Sequence, residues 1–162
     1  MKILIVSDTH RRDDILEETI RKEKPFDLLI HLGDSEGSEL KISNMLDLGS
    51  SLAIVQGNND FFSRLEKEIE LKIGKYRALL THGHLHGVSL GVEQLRREAV
   101  SREFTMAMFG HTHKPYYEEK DGIILLNPGS LCYPRQEGRR GSYMVMEVDK
   151  DGEIKVDLYF RE

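Results

Sequence analysis

The 162-residue sequence predicts an α/β domain whose first half builds a parallel sheet. Apolar, β-rich runs recur at residues 3–6, 28–30 and 52–55, each apolar on both faces, as in a strand covered on both sides of its sheet. Stretches of helical period separate these runs. Each run ends in polar or small residues: Ser7-Asp8, Gly33-Asp34, and Gly57-Asn58-Asn59-Asp60.

The elements follow in order. Asp13 and Asp14 open a stretch with Ile15, Leu16 and Ile20 on one face, a helix that ends near Lys24-Pro25. A second helix is expected over 40–48, stopped by Gly49. Residues 69–73 alternate, Gly74-Lys75 turns, and 76–80 run back into Thr81-His82, which predicts a β-hairpin. One more helix is expected from Val92 through Leu95 and Ala99. Short strands follow near 105–109, 116–119, 123–126, 143–148 and 154–159, with hairpin turns at Asp121-Gly122 and Asp151-Gly152. The second half is therefore expected to add antiparallel strands.

No repeat, linker or low-complexity segment interrupts the chain, so residues 1–162 are expected to form one domain. With 39% hydrophobic residues the chain can bury one continuous core. Its 23 basic and 28 acidic residues leave a net charge of −5, which argues against specific nucleic-acid binding and against adhesion to anionic membranes. The single Cys132 cannot form an internal disulfide, no apolar run approaches the ~20 residues of a membrane span, and the N-terminus leads directly into a strand. A cytoplasmic location is expected. Oligomeric state is open, with the late strands and aromatic tail a possible surface for a homo-oligomer.

The polar residues at strand ends carry the chemistry. Asp8, Asp34 and Asn58 lie 26 and 24 residues apart, about one βα unit each. The carboxyl ends of parallel strands share one edge, so these three are expected to converge there. Five of the seven histidines fall in His82-x-His84-x-His86 and His111-x-His113, and His10 follows Asp8. Imidazole and carboxylate gathered at strand ends suit a metal site. Mixed N/O donors without thiolate fit Mn²⁺, Fe, Zn²⁺ or Ni²⁺. Seven donors exceed one tetrahedral centre and suffice for two ions sharing a carboxylate.

The ordered set Asp8-x-His10, Gly33-Asp34, Gly57-Asn58-Asn59-Asp60, His82 and Gly110-His111-x-His113 resembles the calcineurin-like metallophosphoesterase family, over most of the chain. Small size, Thr81-His82-Gly83-His84 and Leu126-Asn127-Pro128-Gly129-Ser130 resemble its small bacterial and archaeal phosphodiesterases. The resemblance implies a four-layer αββα sandwich with two divalent ions, manganese first among the choices, at one edge. One ion would be held by Asp8, His10, Asp34 and His113. The other would be held by Asp34, Asn58, His82 and His111, with Asp34 bridging. The implied activity is hydrolysis of a small phosphodiester by a hydroxide held between the ions.

One position departs from the family pattern. Many relatives carry histidine where this chain has Asn59, and an amide donates a hydrogen bond but cannot act as a general acid. Asn59 is therefore a candidate for contact with substrate and leaving group. His84 is a candidate replacement acid if the strand ending at His82 continues. Arg11 is a candidate phosphate contact. His31 is expected to pack or support, residues 127–130 to form a rigid turn near the site, and Cys132 to be no nucleophile. Three readings compete with the diesterase: a catalytically silent scaffold resembling the retromer subunit Vps29, a phosphomonoesterase, and a nuclease, which the acidic charge disfavours.

Overall fold

The computed structural model describes residues 1–162. Strand β1 (Lys2–Val6), helix α1 (Asp13–Glu23), β2 (Leu28–His31), α2 (Glu39–Asn44) and β3 (Ser51–Ile54) alternate as expected. Then come β4 (Glu68–Ile73), β5 (Tyr76–Thr81), a 3₁₀ turn (His84–His86), α3 (Glu93–Ser101) and β6 (Met106–Met108). Strands β7 (Pro115–Lys120), β8 (Ile123–Pro128), β9 (Ser142–Val148) and β10 (Ile154–Phe160) complete the chain. They form two five-stranded sheets in the orders β10-β9-β1-β2-β3 and β4-β5-β6-β8-β7.

Period-2 alternation sorts the side chains of β1 into two layers. Ile3 and Ile5 enter the core between the sheets, with Ile30, Leu32, Ala78, Leu80, Met106, Met108, Ile124, Leu126, Met144 and Met146. Leu4 and Val6 face outward, where Leu16 and Ile20 of α1 and Ile42 of α2 cover them. On the far side Leu95 and Ala99 of α3 cover Leu79, Ala107 and Leu125 of the second sheet. The result is helix, sheet, sheet, helix: the expected four-layer sandwich. Truncating a fully buried leucine such as Leu80 in such a layer costs about 2–5 kcal/mol.

Three expectations are corrected. The second half is not simply antiparallel: β5, β6 and β8 run parallel, because α3 carries the chain back across the sheet before β6 begins. The antiparallel additions are the hairpins β4–β5, β7–β8 and β9–β10, and β9 pairs antiparallel with β1. Helix α2 ends at Asn44 rather than Leu48. Of the apolar residues that suggested the longer helix, Leu40 and Leu48 are exposed and only Ile42 is buried within it. Strand β5 stops at Thr81, since Gly83 takes a left-handed φ of 99° and starts the 3₁₀ turn. The continuous strand on which His84 was placed beside His82 is thus absent.

No helix is long and apolar enough to cross a membrane. The aromatic tail forms the edge strand β10, where Tyr159 stacks on Tyr143.

A candidate metal centre at the shared strand edge

Asp8, Asp34 and Asn58 follow β1, β2 and β3, while His82 follows β5 and His111 and His113 follow β6. The turns there are sharp. Asp8 (φ 54°), His10 (46°), Asp34 (59°), His111 (69°) and His113 (58°) all adopt left-handed backbone, as do Arg11 and Glu36 beside them. Non-glycine residues resist this region, and strain of this kind gathers where side chains must be aimed. Close approach also needs glycine. A Cβ at Gly57 would collide with the carboxylate and backbone of Asp34, and one at Gly110 with Ser7 Oγ and Asp8 Oδ2.

Hydrogen bonds fix which ring nitrogen of each histidine faces inward. His82 Nδ1–H donates to Leu32 O at 2.6 Å, and His113 Nδ1–H donates to Tyr133 O at 2.7 Å. His10 Nδ1 meets Glu36 Oε1 at 2.7 Å. A carbonyl or carboxylate oxygen only accepts, so each Nδ1 holds its proton and each Nε2 presents a lone pair. Those lone pairs converge. Around Asp8 Oδ1 lie His113 Nε2 at 3.1 Å, His82 Nε2 at 3.8 Å and His10 Nε2 at 3.9 Å. His10 Nε2 and His113 Nε2 are 3.3 Å apart, and Asp34 Oδ2 lies 3.5 Å from His82 Nε2 and 3.8 Å from His10 Nε2.

The second oxygen of Asp8 is satisfied: Ser7 Oγ donates to Oδ2 at 2.6 Å and His111 N at 3.1 Å. Asp8 Oδ1 is buried with no hydrogen-bond partner. An electron-pair-rich cluster with an orphaned carboxylate oxygen at its centre fits a cation. The donor atoms of Asp8, His10 and His113 lie within 4.8 Å of one another, as do those of Asp8, Asp34 and His82. Asn58 Oδ1 stands 2.9 Å from both His82 Nε2 and His111 Nδ1, which adds an amide oxygen and a fourth imidazole. All seven sequence-derived donors are brought to one edge.

Electrostatics agrees with this arrangement. Burial would raise the Asp8 carboxyl, but the imidazoles of His113 and His82 beside it hold it at about 2. Burial lowers His113, yet the adjacent Asp8 carboxylate raises it net above the usual histidine value. Burial, with His82 beside it, lowers His111.

The remaining candidates are placed differently. Asn59 turns its amide onto the bridging candidate: its N–H donates to Asp34 Oδ1 at 2.9 Å and its Nδ2 to Oδ2 at 2.8 Å. The His84 ring lies 5.4 Å from that of His82 and 6.1 Å from that of His111, with its Nδ1 buried and unbonded. Burial lowers its pKa, which keeps it neutral near pH 7. Arg11 is exposed and lines a cleft with Asn59. His31 is fully buried; Gly33 N donates to its Nδ1 at 3.2 Å, so its Nε2–H donates to Thr9 Oγ1 at 2.9 Å. It ties the loop after β1 to the loop after β2. Asn127 Nδ2 binds Gly110 O, and Ser130 Oγ donates to Asp8 O, so residues 127–130 do brace the site. Burial pushes the Cys132 thiol up to about 12, far from a nucleophile.

Two supporting residues stand behind the donors: Asp60, the last residue of the Gly57-Asn58-Asn59-Asp60 motif, and Glu36, which carries no sequence signal of its own. Asp60 accepts from Asp34 N at 2.8 Å, Gly57 N at 2.7 Å and Glu36 N at 2.6 Å, pinning the loops after β2 and β3 together. Glu36 orients His10.

The chain is 33% identical over 152 residues to the probable metallophosphoesterase YsnB of Bacillus subtilis, covering 93% of this chain and 86% of that one. It is 28% identical over 148 residues to the phosphodiesterase MJ0936 of Methanocaldococcus jannaschii, covering 82% and 85%. Among solved structures, a conserved uncharacterized Streptococcus pneumoniae protein, a predicted phosphoesterase, superposes with a TM-score of 0.78 at 28% identity over 99% of this chain and 97% of that one. Vps29 of Entamoeba histolytica, crystallised with zinc, superposes with a TM-score of 0.76 at 21% identity over 99% of each chain and shares the fold. The model of the calcineurin-like phosphoesterase superfamily domain matches residues 1–151, and the chain belongs to that superfamily.

Proposed function

We propose that this chain is a dinuclear, metal-dependent phosphodiesterase acting on small phosphodiesters. The observation that carries the reading is the proton-poor cluster around Asp8 Oδ1, with three imidazole lone pairs aimed at one orphaned carboxylate oxygen. Asp8, His10, Asp34 and His113 would hold one divalent ion, and Asp34, Asn58, His82 and His111 a second. Manganese is the first choice, with nickel, zinc or iron accepted by the same donors. Bound ions would supply Lewis acidity toward the phosphoryl oxygens and acidify water for attack on phosphorus.

The chain's own residues set the rest. Glu36, Leu32 O and Tyr133 O hold the imidazoles in the tautomer that faces the cluster. Asp60 locks the Asp34 and Asn58 loops so that both side chains stay on the shared edge. Asn59 supplies a neutral donor where a general acid would stand, which favours esters with good leaving groups. His84 lies half-buried beside the cluster, and burial, which disfavours its protonated form, leaves it without a proton to give near pH 7. Arg11 is positioned to meet an anion at the rim.

The test is turnover. Chelator-stripped protein with manganese restored is expected to cleave bis-p-nitrophenyl phosphate faster than p-nitrophenyl phosphate, and Asp8→Asn to abolish both. Preference for the monoester would make this chain a phosphomonoesterase. Metal binding alone does not separate enzyme from scaffold, since the Entamoeba histolytica Vps29 also crystallises with zinc.

A further inference from the structure

The metal cluster is flanked by two clefts that share Glu36 as a common wall. The first, of about 690 Å³, is lined by His10, Glu36, His113, Tyr133, Arg135 and Arg139, with Pro134. The second, of about 410 Å³, is lined by Arg11, Glu36, Asn59, Asp60, Phe61 and Phe62, among others. Both volumes lie within the usual range of small-ligand sites.

The two clefts share two features, although the second also carries the carboxylates of Glu36, Glu39 and Asp60. Each exposes aromatic surface at the edge of the cluster. Tyr133 is 47% exposed and sits edge-on to the His10 ring, 5.3 Å between centroids; Phe61 is 76% exposed and Phe62 fully so. Adjacent exposed phenylalanines at the mouth of a cleft form an apolar patch of the kind that marks a ligand-binding groove. Each cleft also carries arginine without a carboxylate partner: Arg135 and Arg139 in the first and Arg11 in the second. The backbone N–H of Arg135 bonds to His113 O at 3.0 Å, which anchors that arginine's backbone to the metal loop. An aromatic face beside a free guanidinium is the chemistry that holds a nucleobase, by stacking and by planar hydrogen-bond donation.

We infer that the substrate is a two-armed phosphodiester with a nucleobase on each arm, a dinucleotide, its phosphate on the metal cluster, one base against Tyr133 and the other against Phe61 and Phe62. This rests on the phosphodiesterase reading and names its substrate class. A mononucleotide or an alkyl ester fills one cleft and leaves the other bare. A long polymer is disfavoured by the net charge of −5.

The experiment is calorimetric titration of the manganese-loaded full chain with three ligands of equal linkage charge. These are a phosphorothioate-linked thymidine dinucleotide, which resists cleavage, and the 3′- and 5′-methyl phosphorothioate diesters of thymidine. The dinucleotide is expected to bind at least tenfold more tightly than either one-armed ester, the scale of one added base stack. Tyr133→Ala and the double variant Phe61→Ala/Phe62→Ala are each expected to shrink that advantage to within threefold, with unchanged melting temperature. Equal affinity for all three ligands overturns the inference, as does an advantage that survives both variants. Bis-p-nitrophenyl phosphate turnover is followed in parallel. Turnover without a dinucleotide advantage overturns the substrate class and leaves the phosphodiesterase standing; absence of turnover overturns the phosphodiesterase reading itself, whatever the affinities.

Discussion

Glu36 holds His10 Nδ1 across 2.7 Å and so turns His10 Nε2 toward Asp8 and Asp34. The bond joins the loop after β1 to the loop after β2, so the aim of a proposed ligand depends on a residue outside the proposed donor set. Glu36→Gln is expected to weaken manganese binding about 10–100-fold, the usual penalty for losing a carboxylate behind a ligating histidine. Equilibrium dialysis against Mn²⁺ reads the change. Unchanged affinity would remove Glu36 from the orienting role.

His31 titrates far from its ordinary range. Burial pushes its pKa down to about 4 in the folded chain, against about 6.5 when unfolded. Between those values the unfolded chain binds a proton that the folded chain does not. The contribution is therefore fully present above pH 6.5 and is lost as pH falls toward 4, by about 3 kcal/mol. Urea unfolding of metal-free protein across that window is expected to show this loss, and His31→Gln to flatten it. Equal slopes in the two proteins would contradict a buried neutral imidazole.

At His113 a proton competes with a metal ion. Its pKa is raised by Asp8, so a proton contests Nε2 from above the ordinary histidine range downward. Manganese affinity is expected to fall steadily as pH drops from about 8 to 5. A flat profile would exclude His113 as a ligand.

Asn59 offers a test of proton supply. Asn59→His is expected to accelerate diesters with poor alkoxide leaving groups by about 10²-fold or more and p-nitrophenyl esters much less. The readout is the slope of rate against leaving-group pKa. An equal gain on both would show that Asn59 acts through its grip on Asp34 alone.

The sequence was most legible where burial is symmetrical. Residues 3–6, 28–30 and 52–55 are apolar on both faces because helices and a second sheet cover them, and that pattern has no other ready explanation. Turn dipeptides announced the hairpins at Gly74-Lys75, Asp121-Gly122 and Asp151-Gly152. The parallel set β5-β6-β8 was not legible, because pairing across a helical crossover leaves no local mark. The donors at strand ends could be read from their places after apolar runs. Glu36 could not, and Asp60 could be read only as the end of its motif, since the roles of both exist only once left-handed turns bring three loops together. The route to His84 is likewise not legible: Gly83 turns the chain after Thr81, and the His84 ring reaches the cluster from a 3₁₀ turn, not from a continuing strand.

The most direct test of the account titrates chelator-stripped protein with Mn²⁺ while following bound metal and bis-p-nitrophenyl phosphate turnover together. The account predicts two ions per chain, with diester turnover rising as the second site fills and exceeding turnover of p-nitrophenyl phosphate. Full occupancy of both sites with no diester turnover would contradict it.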